Sequence, residues 1–243
     1  MNEEDTMADP VELRLATSNS FPSGTGSYDY RGEFRVVVQN IDYTKQVSIL
    51  ARSEFSTDWQ DYPASYVESV PENREIWQLT TGIQLLEFVV KYTVRGVTYW
   101  DNNGGGNYHQ PIATDDFSVL LGRAYQIVLG TASFSDATHI QVFLGVKNLA
   151  YDKIVGIVFT TDNWATTQTA YGYYNRTMPS GTEVWSVDAT VGTADQVEFA
   201  VFYQVQGQVY WDNNFWRNYR LRPTAHLNML KAPVAAWANL AMV

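Results

Sequence analysis

A chain of 243 residues is long enough for one or two domains, and with 45% hydrophobic, 14% aromatic and only 17% charged residues it lacks the composition of an unfolded segment. Its formal charge of −10 repels phosphate backbones and anionic lipid, which excludes nucleic acid and membrane surfaces as partners and favours a neutral one. It contains no cysteine, so disulfides and thiolate chemistry are also excluded.

In chain order, the opening MNEEDTMADP is acidic and has no apolar signal-peptide core, and no apolar run is long enough to span a bilayer. A cytoplasmic protein is expected, or a secreted one if the chain is a piece excised from something longer. Every later landmark occurs twice. VELRLATSNSF (11–21) aligns with YQIVLGTASF (125–134), VVQNIDYTKQV (37–47) with LGVKNLAYDKIV (144–155), and STDW (56–59) with TDNW (161–164). EIW (75–77) then meets EVW (183–185), LEFVVKYTVRG meets VEFAVFYQVQG, and YWDNN stands at 99–103 and again at 210–214. The offset between paired Trp residues grows from 105 at Trp59 and Trp164 to 108 at Trp77 and Trp185 to 111 at Trp100 and Trp211. Short insertions between persistent landmarks are what two copies of one fold produce, because loops vary while strands do not.

Within each copy the apolar period is two. Phe88, Val90, Tyr92 and Val94 alternate with Glu87, Val89, Lys91 and Thr93, and Phe199, Val201, Tyr203 and Val205 repeat the pattern, which reads as half-buried strands. Arg95-Gly96 and Gln206-Gly207 follow, each supplying a glycine where a tight hairpin needs positive φ. The only helical period lies in the tail LKAPVAAWANLAMV, where Pro233 interrupts it. The expected architecture is all-β: two tandem antiparallel β-sandwiches at 9–112 and 119–223, a short linker near 113–120, and a C-terminal tail at 224–243.

The repeated YWDNN carries the chemistry. Alternation sends Tyr99 and Trp100 to opposite faces, so one is core and the other is offered outward; parity does not say which. Consecutive carboxamides, a GGG stretch and another Asn-Tyr make a loop dense in donors and acceptors, which suits a ligand built of hydroxyl groups, while indole and phenol faces pack on the C–H face of a pyranose. A structural turn accounts for the Asx residues equally well, since they bond their own backbone. Trp77, Trp185, Tyr99 and Tyr210 are expected in the core. His109, His139 and His226 have no metal-like spacing, so no metal and no cofactor is expected. Asp101 and Asp212 each lack a second carboxylate nearby, and no G-x-S-x-G, HExxH or P-loop pattern occurs, so the chain is expected not to be an enzyme.

Taken together, G-x-x-YWDNN-x-x-x-NY after EF-x-V-x-Y, VxN-[IL]-x-Y-x-K-x-V upstream, and a DW or DNW between resemble carbohydrate-binding module family 21. That family comprises starch- and glycogen-binding domains attached to fungal glucoamylases and found in glycogen-targeting subunits of type 1 protein phosphatase. The resemblance spans roughly 11–110 and 125–221. It implies immunoglobulin-like sandwiches and non-catalytic binding of α-1,4-glucan, either glycogen or starch, as polysaccharide or malto-oligosaccharide. By position it also implies sugar platforms at Trp59 and Trp100 in the first copy and Trp164 and Trp211 in the second. Hydrogen-bonding partners would be Asn40, Lys45, Asn102 and Asn107, then Asn148, Lys153, Asn213 and Asn218. A third platform aromatic of some members is Val89 and Ala200 here. A second site would use Tyr43 and Tyr151, with Tyr66 and Tyr173 as its other rings. Where the first loop has glycines the second has Phe215-Trp216-Arg217, which either add stacking area or pack against the other domain. The alternative function is a scaffold that brings a phosphatase catalytic subunit or another enzyme to glycogen. The docking string it would need, Arg35-Val36-Val37-Val38, lacks a terminal aromatic and sits in an expected strand.

Overall fold

The computed structural model describes residues 9–22, 28–110 and 117–223; the expected tail 224–243, with His226 and the interrupted helical pattern, lies outside the described residues. The first copy runs β1 (Val11–Pro22), β2 (Tyr28–Gln39), β3 (Lys45–Ser53), β4 (Ser56–Pro63), β5 (Ser65–Val70), β6 (Arg74–Thr81), β7 (Leu85–Val94), β8 (Val97–Asp101), β9 (Tyr108–His109) and β10 (Phe117–Leu121). The second runs β11 (Ile127–Phe134), β12 (His139–Lys147), β13 (Lys153–Thr160), β14 (Gln168–Tyr171), β15 (Tyr173–Thr177), β16 (Thr182–Thr190), β17 (Val197–Val205), β18 (Gln208–Asp212) and β19 (Tyr219–Leu221).

Two antiparallel sheets form each sandwich, as the period-two pattern and the immunoglobulin-like expectation require. In the first copy an inner sheet, β10-β1-β2-β6-β5, packs on an outer sheet, β4-β3-β7-β8, with β9 paired to β7. In the second, inner β11-β12-β16-β15 packs on outer β14-β13-β17-β18, with β19 paired to β17. The alternating residues of β7 and β17 do what their parity predicts: Phe88, Val90, Tyr92 and Val94 enter one core, and Phe199, Val201, Tyr203 and Val205 the other. Burying each such side chain contributes about 1.5–3 kcal/mol. The β7–β8 hairpin closes with Val94 opposite Val97, and Arg95 and Gly96 both take positive φ (51° and 76°), the two-residue turn read from the sequence.

The expected linker is different. Its described part, Phe117–Leu121, is β10, which pairs antiparallel with β1 from Asn19↔Phe117 to Leu15↔Leu121. Alternation explains this: Leu120 turns into the first core, while Val119 and Leu121 face outward. The passage into the second copy therefore begins after Leu121 rather than at residue 119.

Those outward side chains join the sandwiches. Leu15, Val119 and Leu121 of the first inner sheet pack against Val128, Phe143 and Val184 of the second inner sheet, with Met178 beside them. The layers thus run outer, inner, inner, outer, and the two outer sheets look away from each other. A polar bolt crosses the same interface. Both copies carry a β-bulge in their first strand, at Arg14 between Leu13 and Leu15 and at Gly130 between Leu129 and Thr131. Arg14 is buried against the second copy, bonded to Asp212 at 2.9 Å and to the Tyr219 hydroxyl at 2.8 Å, with its guanidinium 4.8 Å from the centre of the Phe215 ring.

Candidate functional site

Parity left Tyr99 and Trp100 undecided; the structure puts Tyr99 against the first core and Trp100 outward, 48% exposed. Tyr210 and Trp211 divide the same way, with Trp211 54% exposed. The cause lies in the next residue. Asp101 is buried and accepts the Leu13 amide at 2.7 Å and the Tyr108 hydroxyl, which fixes the parity of β8. Asp212 accepts the Leu129 amide at 2.9 Å and the Tyr219 hydroxyl at 2.7 Å in the same manner. Each also closes an Asx turn on the amide two residues on, Asn103 or Asn214. Both carboxylates are committed to the fold and neither is open to a substrate.

On the outer face of β4-β3-β7-β8, Trp59 stands on the edge strand β4 and Trp100 on the opposite edge strand β8, three strand spacings across the sheet and four residues apart along it, about 19 Å in all. Leu50 and Val89 lie between them in one row. A polar chain reaches across: the Arg52 guanidinium is 5.0 Å from the centre of the Trp59 ring and pairs with Glu87 at 3.1 Å, and Glu87 accepts the Asn107 carboxamide at 2.8 Å. Lys91 sits 6.0 Å over Trp100 and pairs with Asp61 at 2.8 Å. The second copy shortens the chain, since the Trp164 indole N–H donates directly to Glu198 at 2.8 Å. Glu87 and Glu198, which hold the polar partners of these rings, were not among the expected residues. The signal for them was present: each stands just before the inward Phe of LEF and VEF, on outward parity.

Asn102 and Asn213 each cap their own loop, accepting from the Gly105 and Trp216 amides at 3.0 Å, so their carbonyl oxygens are occupied while the carboxamides stay at the loop surface. Asn107 and Asn218 both adopt positive φ (53° and 54°), turning the chain back into β9 and β19. Of the substituted loop, Phe215 stacks on Arg14 and Arg217 pairs with Glu68 at 2.9 Å, both reaching the other domain, while Trp216 remains 68% exposed. Of the two alternatives for this tripeptide, packing against the other domain is what Phe215 and Arg217 do.

Lys45 and Lys153 are placed elsewhere. Lys45 is buried, donating to Asn40 and pairing with Glu75 at 2.8 Å, and Glu75 also accepts the Trp77 indole N–H at 3.0 Å. Lys153 repeats this with Asn148 at 2.7 Å and Glu183 at 2.8 Å, and Glu183 holds the Trp185 indole at 2.8 Å. These ammonium groups are buried and paired with protein acceptors, and they hold up a different surface. There Tyr43 and Tyr151 project from the β2–β3 and β12–β13 turns with almost no cover. Half-buried Trp77 meets Tyr66 edge-on at 6.0 Å, and Trp185 meets Tyr174 edge-on at 6.1 Å. Tyr174, not Tyr173, is the counterpart of Tyr66. It is Tyr174 that pairs across from Trp185, whereas Tyr173 lies opposite Ser186 and bonds Asp188 at 3.0 Å. A one-residue slip in a strand changes the face, and sequence alone did not fix that register. Around Tyr151, Tyr174 and Trp185 the surface opens into a groove of about 1050 Å³.

Comparison with known families gives one decisive match. The model for carbohydrate/starch-binding modules of family 21 covers residues 30–110 and 123–222, one match per sandwich. The chain belongs to carbohydrate/starch-binding module family 21. Among curated relatives of this family-21 pair, glucoamylase 1 of Rhizopus oryzae is 34% identical over 107 residues, covering 39% of this chain and 18% of that protein. Protein phosphatase 1 regulatory subunit 3C of Bos taurus is 34% identical over 82 residues, covering 31% of this chain and 26% of that protein. The chain therefore aligns with only a fifth to a quarter of these relatives' length. A solved starch-binding domain of Rhizopus oryzae glucoamylase, in complex with β-cyclodextrin and maltoheptaose, is 25% identical with a TM-score of 0.35, covering 44% of this chain and 96% of that one. The carbohydrate-binding module of the muscle glycogen-targeting subunit of protein phosphatase 1 is 20% identical with a TM-score of 0.33, covering 40% and 75%. Among the described residues of the two family-21 modules, no group of three or more His, Asp or Glu could hold a metal.

Proposed function

We propose that both modules bind α-1,4-glucan, glycogen or starch, without catalysis. The observation that carries this is the pair of bare indoles, Trp100 and Trp211, each held outward by a buried Asp at the lip of a sandwich and followed by a carboxamide-rich loop. A pyranose lying on such a ring covers about 100 Å² of apolar surface, or ~2.5 kcal/mol before costs, so a few rings and hydrogen bonds give weak, reversible binding. No charged group is needed for a neutral sugar, which accords with the net charge of −10. Absence of catalysis is supported by the burial of Asp101 and Asp212, whose carboxylates are engaged by backbone amides and tyrosine hydroxyls instead of facing either platform.

The targeting alternative keeps the same glucan sites and adds a phosphatase partner. The string Arg35-Val36-Val37-Val38 gives it no support, because it lies in the middle of β2 with all three valines buried. Affinity electrophoresis in glycogen gels tests the main reading. Wild-type chain is expected to be retarded, and Trp100→Ala combined with Trp211→Ala to restore free mobility; equal retardation of the two would refute it.

A further inference from the structure

The outer faces of the two modules occupy matching positions with unlike chemistry. Gln46, Ser48 and Lys91 of the first become Ile154, Gly156 and Phe202 in the second, and Thr98 becomes Val209. In the second module one register row therefore reads Tyr171, Gly156, Phe202, Trp211 across all four strands of the outer sheet, a width of about 14 Å. Phe202 is packed between its neighbours, 5.6 Å from the Trp211 ring and 6.3 Å from that of Tyr171. Glycine is what lets this row close. A Cβ at residue 156 would stand 2.9 Å from the Phe202 ring and 2.5 Å from the Ala170 carbonyl oxygen. Tyr171 (66% exposed) and Trp211 offer their faces on either side.

The next row, about 7 Å further along the strands, is Ile154, Gln204 and Val209, and Ile154 and Gln204 also line the groove that holds Tyr151, Tyr174 and Trp185. No charged side chain stands in either row. In the first module the corresponding path is cut by the Lys91–Asp61 ion pair at 2.8 Å, to which Ser48 also donates at 2.8 Å.

We propose that in the second module the aromatic platform and the Tyr151 groove form one continuous track, bridged by the Tyr171–Phe202–Trp211 row and Ile154, which takes a long stretch of a neutral glucan chain; the first module has only separate, short sites. This rests on the glucan-binding reading above and adds chain length as the property recognised. The readout is the ratio of affinities for maltodecaose and maltotriose, measured by titration calorimetry on the full chain with the first platform silenced by Trp59→Ala and Trp100→Ala. Introducing the first module's residues, Phe202→Lys with Ile154→Gln, is expected to lower that ratio about tenfold. Tyr171→Ala, at an exposed edge-strand position where misfolding is not at issue, should lower it about fivefold, the loss of roughly one ring contact. An unchanged ratio in Tyr171→Ala, or an equal loss for both sugars in the double variant, would overturn the track while leaving glucan binding intact. A chain that binds neither sugar would instead remove the glucan reading beneath it.

Discussion

Asp101 and Asp212 look interchangeable in the sequence, yet only one of them carries a buried cation. Asp101 accepts from a backbone amide and a tyrosine hydroxyl, whereas Asp212 accepts from the same kinds of donor and also from Arg14 of the other module. Asp101→Asn should cost about 2–3 kcal/mol through lost charge-assisted bonds. Asp212→Asn should cost more, roughly 3–5 kcal/mol, because it strands a buried guanidinium. Urea unfolding of both variants checks this, and equal losses would show that Arg14 finds another acceptor. A second residue-scale expectation concerns the loop bearing Trp164. Hydrogen bonds from the Thr166 amide, the Thr166 hydroxyl and the Thr160 hydroxyl hold the Asp162 carboxyl down to about 2. Because the folded value lies below the ordinary 3.8, the contribution is complete above that pH and is lost as the pH falls through about 2. The stability difference between wild type and Asp162→Asn should therefore be constant near neutrality and shrink between pH 3.8 and 2; a difference that grows on acidification would contradict it.

At the scale of elements, the first strand and the passage between modules act as one piece. Gly122 follows β10, and a Cβ there would lie 1.6 Å from the Leu13 carbonyl oxygen, in backbone that cannot move without breaking the β1 bulge. Since β1 carries the Leu13 amide bound by Asp101 as well as Arg14 and Leu15 of the interface, the strain would spread to both sandwiches. Gly122→Ala should lose at least about 3 kcal/mol. In a chain of this size that corresponds to roughly 6–12 °C in melting temperature, a shift that differential scanning calorimetry resolves readily. By the same logic the outward positions of the edge strands β4 and β14 tolerate change, whereas Tyr62 and Ala170 between them pack on the two cores. That freedom is where the two modules have come to differ, with Asp61 and Pro63 on one and Thr169 and Tyr171 on the other.

For the whole molecule, packing inner sheet on inner sheet turns the two platforms away from each other. Linked sites raise avidity only where geometry lets both engage. A short oligosaccharide cannot reach both outer faces, but two branches or two particles can be held at once. Wild-type chain mixed with glycogen should therefore raise light scattering steeply near equivalence. Trp100→Ala or Trp211→Ala alone should still bind while scattering stays at the level of glycogen, and persistent scattering from either single-site variant would mean that the sites do not work as opposed ends.

The repeat, the period-two strands and the Gly-bearing hairpins were legible in the sequence because each depends on local pattern: alternation sets the faces, and a two-residue turn needs positive φ. The family motif likewise brought Trp59, Trp100 and Trp211 to strands of the outer sheets and Trp164 to the β13–β14 loop. What local pattern could not decide was which neighbour of a pair faced outward, since that depends on Asp101 and Asp212 reaching amides 88 and 83 residues away in sequence. It could not show that Lys45 and Lys153 are consumed by Glu75 and Glu183, nor that Tyr174 rather than Tyr173 meets Trp185, because strand register is settled by long-range packing. The opposed orientation of the modules came from β10 joining the first sheet and from Arg14 entering the second sandwich. Both are contacts between distant residues, and only tertiary structure supplies them.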